Sequence, residues 1–284
     1  MKLVSFKKWE RHISDLRLQT EKSSKTNLKK SITLTIQKNI SKKRFGILFS
    51  GGIDSSLIAL ICKKQKANFI CYTVGVKDCH DILKAKETAL LLNLNLKTRE
   101  FNLDEIEKIL GKLAKILPDF NVVSAGVGLV TYAGLQLAKG DKIEKVFTGL
   151  GSDEIFAGTG KHERTDDKHE QCWRGLIGMY GWDFERDFPI AKKLKIKLLI
   201  PFLDEKVIKN AMGISIEKKI NKNKKKIILS QIASDLGLPK EVAWRRKKAS
   251  QYGSGFDKAI LKLTKKRGFK RKSDYIVSLL SASF

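Results

Sequence analysis

Long apolar runs are missing from this chain. No stretch of about 18 apolar residues occurs anywhere in its 284 positions, so hydropathy offers no membrane span. Residues 1–16 scatter charges among apolar side chains and lack the continuous apolar centre of a secretory signal. Cysteine is scarce: Cys62, Cys71, Cys79 and Cys172 are the only four, and none forms a Cys-x-x-Cys pair. That argues against a zinc ribbon or an iron–sulfur enzyme and fits reduced, mostly buried thiols in a cytoplasmic protein. Proline is scarce too, with four residues, so no Pro-rich linker divides the chain. The remaining shortage is of acid. Against 57 Lys and Arg stand 30 Asp and Glu, a net charge of +27. Residues 1–44 carry 13 basic and 3 acidic side chains and residues 205–284 carry 21 and 6, while 45–204 is close to balance at 23 and 21. Two accounts of the basic ends stay open: solvated lysines from composition drift, or a surface for a polyanion such as RNA.

What is present is an alternation of short buried strands and helices. Residues 1–20 carry Val4, Phe6, Trp9, Ile13 and Leu16 at roughly helical spacing. Residues 21–30 read as a loop, and Ser31 to Ile36 alternates in the manner of a strand. Then Phe45–Phe49 predicts a buried strand, Leu57–Lys64 a helix, Phe69–Val74 a second strand, Asp81–Leu92 a second helix and Val146–Thr148 a later strand. Apolar strands alternating with helices predict an α/β fold: a parallel twisted sheet with helices on both faces, and a helical C-terminal part. The expected division is a basic N-terminal extension over 1–44, a nucleotide domain over 45–264 and a basic C-terminal tail over 265–284.

Ser50-Gly51-Gly52-Ile53-Asp54-Ser55-Ser56 follows the first strand and opens a helix. Glycines let backbone approach a phosphate, and the first helical turn offers unpaired N–H groups and a favourable dipole. Ser50, Ser55 and Ser56 can donate hydroxyl hydrogen bonds to phosphate oxygens. Asp54 would repel phosphate unless it holds Mg²⁺. No Lys follows the glycines, so this is not a Walker A loop. The plainer alternative is a Gly-Gly turn with a polar helix cap. A second glycine signature, Gly149-Leu150-Gly151-Ser152-Asp153-Glu154, also follows a strand, and Asp153 supplies a second carboxylate for the same metal.

These blocks, followed by Pro201-Phe202-Leu203-Asp204, Lys226, Leu238-Pro239 and Val242-Ala243-Trp244-Arg245-Arg246-Lys247, resemble the synthetase domain of asparagine synthetases. Val74-Gly75 with Asp81 and Ala85 belongs to the same resemblance, which covers roughly residues 44–260 and is nearest to short synthetase-domain proteins of that family. It implies an adenine nucleotide alpha hydrolase-like fold and the cosubstrates ATP and Mg²⁺. It places pyrophosphate on Ser50, Gly51, Gly52, Asp54, Ser55 and Ser56, adenine at the backbone of Val74 and Gly75, and ribose and α-phosphate at Gly149 and Gly151. Asp54 and Asp153 would carry the metal. Lys247 would neutralise charge on the α-phosphate, with Lys226 assisting. The implied reaction activates a small-molecule carboxylate, by default aspartate, for amide formation with release of AMP and pyrophosphate.

The sequence departs from that pattern at several points. Residue 2 is Lys where the family carries a nucleophilic Cys, so no glutaminase of that kind is expected and nitrogen would come from free ammonia, a partner amidotransferase or an amine on the substrate. Leu150 stands where many members place a Glu able to deprotonate the attacking nitrogen, and an apolar side chain cannot. Glu154 is a candidate substitute. Leu199 stands where Arg is common. Two further groupings have plain readings: His162, Glu163, Asp166, Asp167, His169 and Cys172 match no standard zinc spacing and read as a polar connection, and Trp173, Tyr180, Trp182 and Phe184 read as core rather than acceptor pocket. Alternatives to a small-molecule ligase are an RNA-modifying enzyme, favoured by the basic ends, and a nucleotide-binding protein without turnover, suggested by Leu150.

Overall fold

The computed structural model describes residues 3–245 and 249–281. Five parallel strands form one sheet in the order β3-β2-β1-β4-β5: β1 (Phe45–Leu48), β2 (Phe69–Gly75), β3 (Leu96–Glu100), β4 (Lys145–Phe147) and β5 (Lys197–Leu199). Phe45 pairs with Phe69, Ile47 with Cys71 and Gly46 with Val146. Side chains point to opposite faces with period two. Phe45, Ile47, Cys71, Phe147 and Leu199 therefore enter one apolar core, and Ile70, Tyr72, Val74, Val146 and Leu198 enter another. Both faces are buried, which is why these strands read as apolar runs rather than as alternating ones.

The first core is covered by α1 (Phe6–Leu18), α2 (Lys25–Asn39), α3 (Ile53–Lys64) and α4 (His80–Leu91), the second by α5 (Leu103–Ala114) and α6 (Val122–Gly140). Between β4 and β5 run α7 (Ser152–Ile155), α8 (Gly160–Glu163), α9 (Lys168–Met179), a π-helical turn over Tyr180–Phe184, and α10 (Glu185–Leu194). Past β5, α11 (Glu205–Met212), α12 (Ile227–Asp235) and α13 (Lys240–Ala243) pack on the first face. The chain then passes through α14 (Ser250–Gly253) to α15 (Phe256–Lys266) and α16 (Lys272–Ser281) on the second. By length and composition α6 could cross a bilayer, but ten of its residues are buried inside the protein, six of them in the second core.

Two expectations are corrected here. Residues 25–39 are helical, not a loop followed by a strand. Alternation put Ile32, Leu34 and Ile36 on one side. The helix instead buries Leu28, Ile32 and Ile36 at four-residue intervals and leaves Leu34 about half exposed. Ser24 caps the helix by accepting from the Asn27 backbone N–H at 3.1 Å. The basic ends are also packed rather than appended. Trp9, Ile13 and Leu16 lie in the first core, and Trp9 Nε1 donates to the Leu176 carbonyl at 2.8 Å. Tyr275, Ile276 and Leu279 of α16 lie in the second, and the Tyr275 hydroxyl donates to Glu107 at 2.9 Å.

Candidate functional site

Strand order reverses direction between β1 and β4, since β2 and β3 lie to one side of β1 while β4 and β5 lie to the other. At such a switch point the loops leaving two neighbouring strands diverge and leave a crevice at their carboxyl ends. Here those loops are the two glycine signatures. They border a cleft of about 260 Å³ whose lining includes Ser50, Gly52, Asp54, Ser55, Val74, Thr148, Gly149, Leu150, Gly151, Asp153 and Glu154, with Val127 and Thr131 of α6 opposite.

The first loop is shaped by local hydrogen bonds. Ser50 N–H donates to Ser55 Oγ at 3.3 Å, Gly52 N–H donates to Ser50 Oγ at 3.4 Å, and the Thr73 hydroxyl on β2 donates to the Phe49 carbonyl. Gly51 has φ +69°, and a Cβ there would lie 2.5 Å from the Lys84 carbonyl oxygen, so both conformation and space require glycine. Arg245 fixes the same turn from a distant part of the chain. Its Nη1 donates to the Gly51 carbonyl at 3.1 Å and to Thr88 Oγ1 at 2.9 Å, and its Nη2 donates to Glu87 at 2.8 Å. In the second loop Gly151, at φ +87°, caps α7; a Cβ would meet Leu203 at 2.3 Å.

Asp54 at the start of α3 and Asp153 at the start of α7 meet at Lys226. The ammonium donates to both Asp54 oxygens at 2.7 and 2.8 Å, lies 2.8 Å from Asp153 Oδ1 and donates to Ser152 Oγ at 3.0 Å. Ser152 Oγ in turn donates to Asp54 Oδ1 at 2.5 Å. Two carboxylates that converge on one cation are a hard-oxygen donor set of the kind Mg²⁺ takes when phosphates complete its shell. Among the described residues no group of three His, Cys, Asp or Glu could hold a metal without such help. The residues present therefore fit a phosphate-bound metal.

The other expected positions divide. Val74 lines the cleft, whereas Gly75 is packed beside Cys79 and Ser254, and its carbonyl accepts from Phe101 N–H at 2.9 Å. Ser56 is fully buried on α3, away from the cleft lining, and its Oγ has no hydrogen-bond partner among the described residues. Lys247 lies outside the described residues. Asp81 lines the cleft and Ala85 is core. Of the aromatic group, Trp173 and Phe184 are core, while Trp182 is 56% exposed. The polar connection serves local ends: His162 Nδ1 lies 2.8 Å from Thr159 Oγ1, Glu163 pairs with Lys225 at 2.9 Å, and Asp167 caps α9.

Sequence reasoning missed a charged network at the far wall of the cleft. Arg186 Nε donates to Asp187 Oδ1 at 2.8 Å and its Nη2 to Asp187 Oδ2 at 3.0 Å and Asp183 Oδ1 at 2.8 Å; Nη1 donates to the Trp182 carbonyl at 2.7 Å. Thr131 of α6 donates to Asp187 at 3.0 Å. Arg186 and Asp187 are buried, and burial raises the Asp183 carboxyl above its ordinary range despite Arg186. The signal available was Asp183, Arg186 and Asp187 at helical i, i+3 and i+4 spacing in a segment whose one other charged residue is Glu185. The turn carrying Asp183 is π-helical, and Pro189 further along lacks the N–H that would bond the Glu185 carbonyl.

The asparagine synthase family model matches residues 34–199 and 190–274. A Methanocaldococcus jannaschii protein assigned as a glutamine-hydrolyzing asparagine synthetase is 30% identical over 309 aligned positions, covering 95% of this chain and 56% of that protein. Asparagine synthetase B of Escherichia coli is 26% identical over 254, covering 82% of this chain and 46% of its own length. The chain thus spans about half the length of the curated relatives it matches. The solved structure of an NMN synthetase from Francisella tularensis aligns over 98% of this chain and 94% of its own, with a TM-score of 0.45 and 12% identity.

Proposed function

Since the chain belongs to the asparagine synthase family, we propose that its cleft activates a carboxylate with ATP and passes the acyl group to nitrogen, releasing AMP and pyrophosphate. The carrying observation is the junction of Asp54, Asp153 and Ser152 on the Lys226 ammonium, between two glycine loops at the switch point of the sheet. The default acceptor is aspartate. Its carboxylate oxygen forms a bond to the α-phosphorus, the bond from that phosphorus to the bridging oxygen breaks, and the electron pair leaves with pyrophosphate. The lone pair of an unprotonated nitrogen then bonds to the acyl carbon, AMP departs with the electron pair of the broken C–O bond, and the nitrogen gives up one proton to solvent.

The chain's contribution is alignment and charge. The Gly51–Gly52 turn, held by Arg245, presents backbone N–H groups at the start of α3 to a phosphate. Asp54 and Asp153 would hold Mg²⁺, which supplies charge neutralisation on the phosphate oxygens. Lys226 positions the two carboxylates and adds positive charge beside them.

The test measures pyrophosphate release from ATP by the full chain in two arms, one with aspartate plus ammonium and one with bulk tRNA. Release that requires aspartate and is matched by asparagine supports the reading. Release that requires tRNA and ignores aspartate replaces it with RNA modification, the reading that the basic ends favour. ATP binding with no release in either arm leaves nucleotide binding without turnover.

A further inference from the structure

A second chamber of about 640 Å³ opens beside the nucleotide cleft, and the two share a wall made by Asp153, Asp183, Arg186, Val127 and Ser250. The nucleotide reading leaves this chamber without an occupant. Its charge is unlike that of the protein. In a chain of net +27, its lining carries Asp119, Asp153, Asp183 and Glu185 against Lys161 and Arg186. Arg186 is already committed, with Asp187 gripping it through both carboxylate oxygens. Lys161 lies over the Trp182 ring, its Nζ 3.6 Å from the centroid.

Asp183 differs from the other acids at the junction. Asp153 is engaged with Lys226, and Asp187 with Arg186 and Thr131. Asp183 accepts from Arg186 through Oδ1, its side chain is 20% exposed, and Oδ2 has no partner among the described residues. A carboxylate oxygen at the boundary of two connected chambers, in a lining whose two cations are each already engaged, suits a positively charged amine rather than an anion. On the reading proposed above, we propose that the second chamber is the subsite for the nitrogen donor, taken as a primary ammonium or amine, with Asp183 as the group that hydrogen-bonds it and Trp182, in the same lining, as a neighbouring reporter. Leu150, which lines the neighbouring cleft, has no means of holding that nitrogen. The groups facing Asp183 are Arg186 and Asp187 on α10 and Asp153 on α7.

The experiment compares wild type with Asp183→Asn in the full chain. With ATP and aspartate present, the variant raises KM for ammonium about tenfold or more, the weight of one charge-assisted hydrogen bond. Because Asp183 also borders the nucleotide cleft, the test is the split: the rise in KM for ammonium exceeds by about tenfold any change in KM for ATP or in the aspartate-dependent exchange of pyrophosphate into ATP, since activation precedes the amine. Hydroxylamine, mostly uncharged at neutral pH, turns over at close to the wild-type rate in the variant. An unchanged ammonium KM overturns the subsite, and so does an equal loss of exchange and hydroxylamine turnover, which marks a structural role. Absence of exchange in the wild type sinks the ligase reading, and the subsite is then decided by binding alone. Ethylammonium chloride quenches the fluorescence of the full chain more than sodium chloride does, the difference vanishes in Trp182→Phe, and it weakens about tenfold in Asp183→Asn. Identical titrations with the two salts overturn the proposal in either case.

Discussion

Lys226 touches Asp54, Asp153 and Ser152 from a backbone held at φ +53°, so one side chain ties the two glycine signatures together. Replacing it by Met withdraws an ammonium from two largely enclosed carboxylates and should cost about 3 kcal/mol of stability in urea unfolding. Added Mg²⁺ should then raise the melting temperature of Lys226→Met more than that of wild type; equal shifts would speak against a metal between Asp54 and Asp153. Lys219 is the opposite case. It is fully buried, its Nζ lies 3.6 Å from the Met212 sulfur, and burial pushes its pKa down to about 8. The folded state thus favours the neutral amine. Stability from this group is complete above the unfolded lysine value and is lost as pH falls through about 8, where protonation costs on the order of 3 kcal/mol. Lys219→Met should accordingly stabilise the protein at pH 7, and the gain should shrink as pH rises from about 8 towards 10. A gain independent of pH over that range would show that burial does not lower the Lys219 pKa in the folded state.

Among the elements, the two helices before β1 test what the basic ends are. Their lysines face water while Trp9, Ile13, Leu16, Leu28, Ile32 and Ile36 are at most 3% exposed. Trp9→Ala removes a large buried side chain and the hydrogen bond that joins α1 to α9, and should cost about 3–5 kcal/mol. A loss under about 1 kcal/mol, measured by urea unfolding, would mean that α1 is a loosely held extension. Removing residues 1–44 outright would strip part of the first core, so truncation cannot report on RNA binding without also reporting on folding. The sequence showed α1 through its helical spacing and concealed α2, because Ser31 to Ile36 satisfies period two as well as 3.6. Leu28 breaks the tie only once a core is there to receive it.

At the level of the whole molecule, charge and chemistry lie apart. The net +27 gathers in the terminal segments, while the chamber beside the cleft is lined by an acidic majority. If the basic ends bind RNA, affinity should fall steeply with salt, at a log–log slope of about −0.7 to −0.9 per phosphate contact. Exchanging exposed lysines such as Lys30, Lys265 and Lys270 for Gln should flatten that slope while leaving ATP binding intact. A salt-independent signal in filter binding would return the excess charge to composition drift.

Local sequence determined β1, β2 and β4, both glycine turns and the carboxylates within them, because buried parallel strands and left-handed turns leave their mark within a few residues; the more exposed β3 and the three-residue β5 left no such mark. Only the tertiary structure decided how distant parts meet: Lys226 reaches Asp54 across 172 positions and Arg245 reaches Gly51 across 194. It also decided that Ser56 and Gly75 are packed away from the cleft, and that Asp183, Arg186 and Asp187 form its far wall. Those outcomes depend on which helix face meets the sheet. The hydrophobic pattern permits several answers until both cores are filled at once.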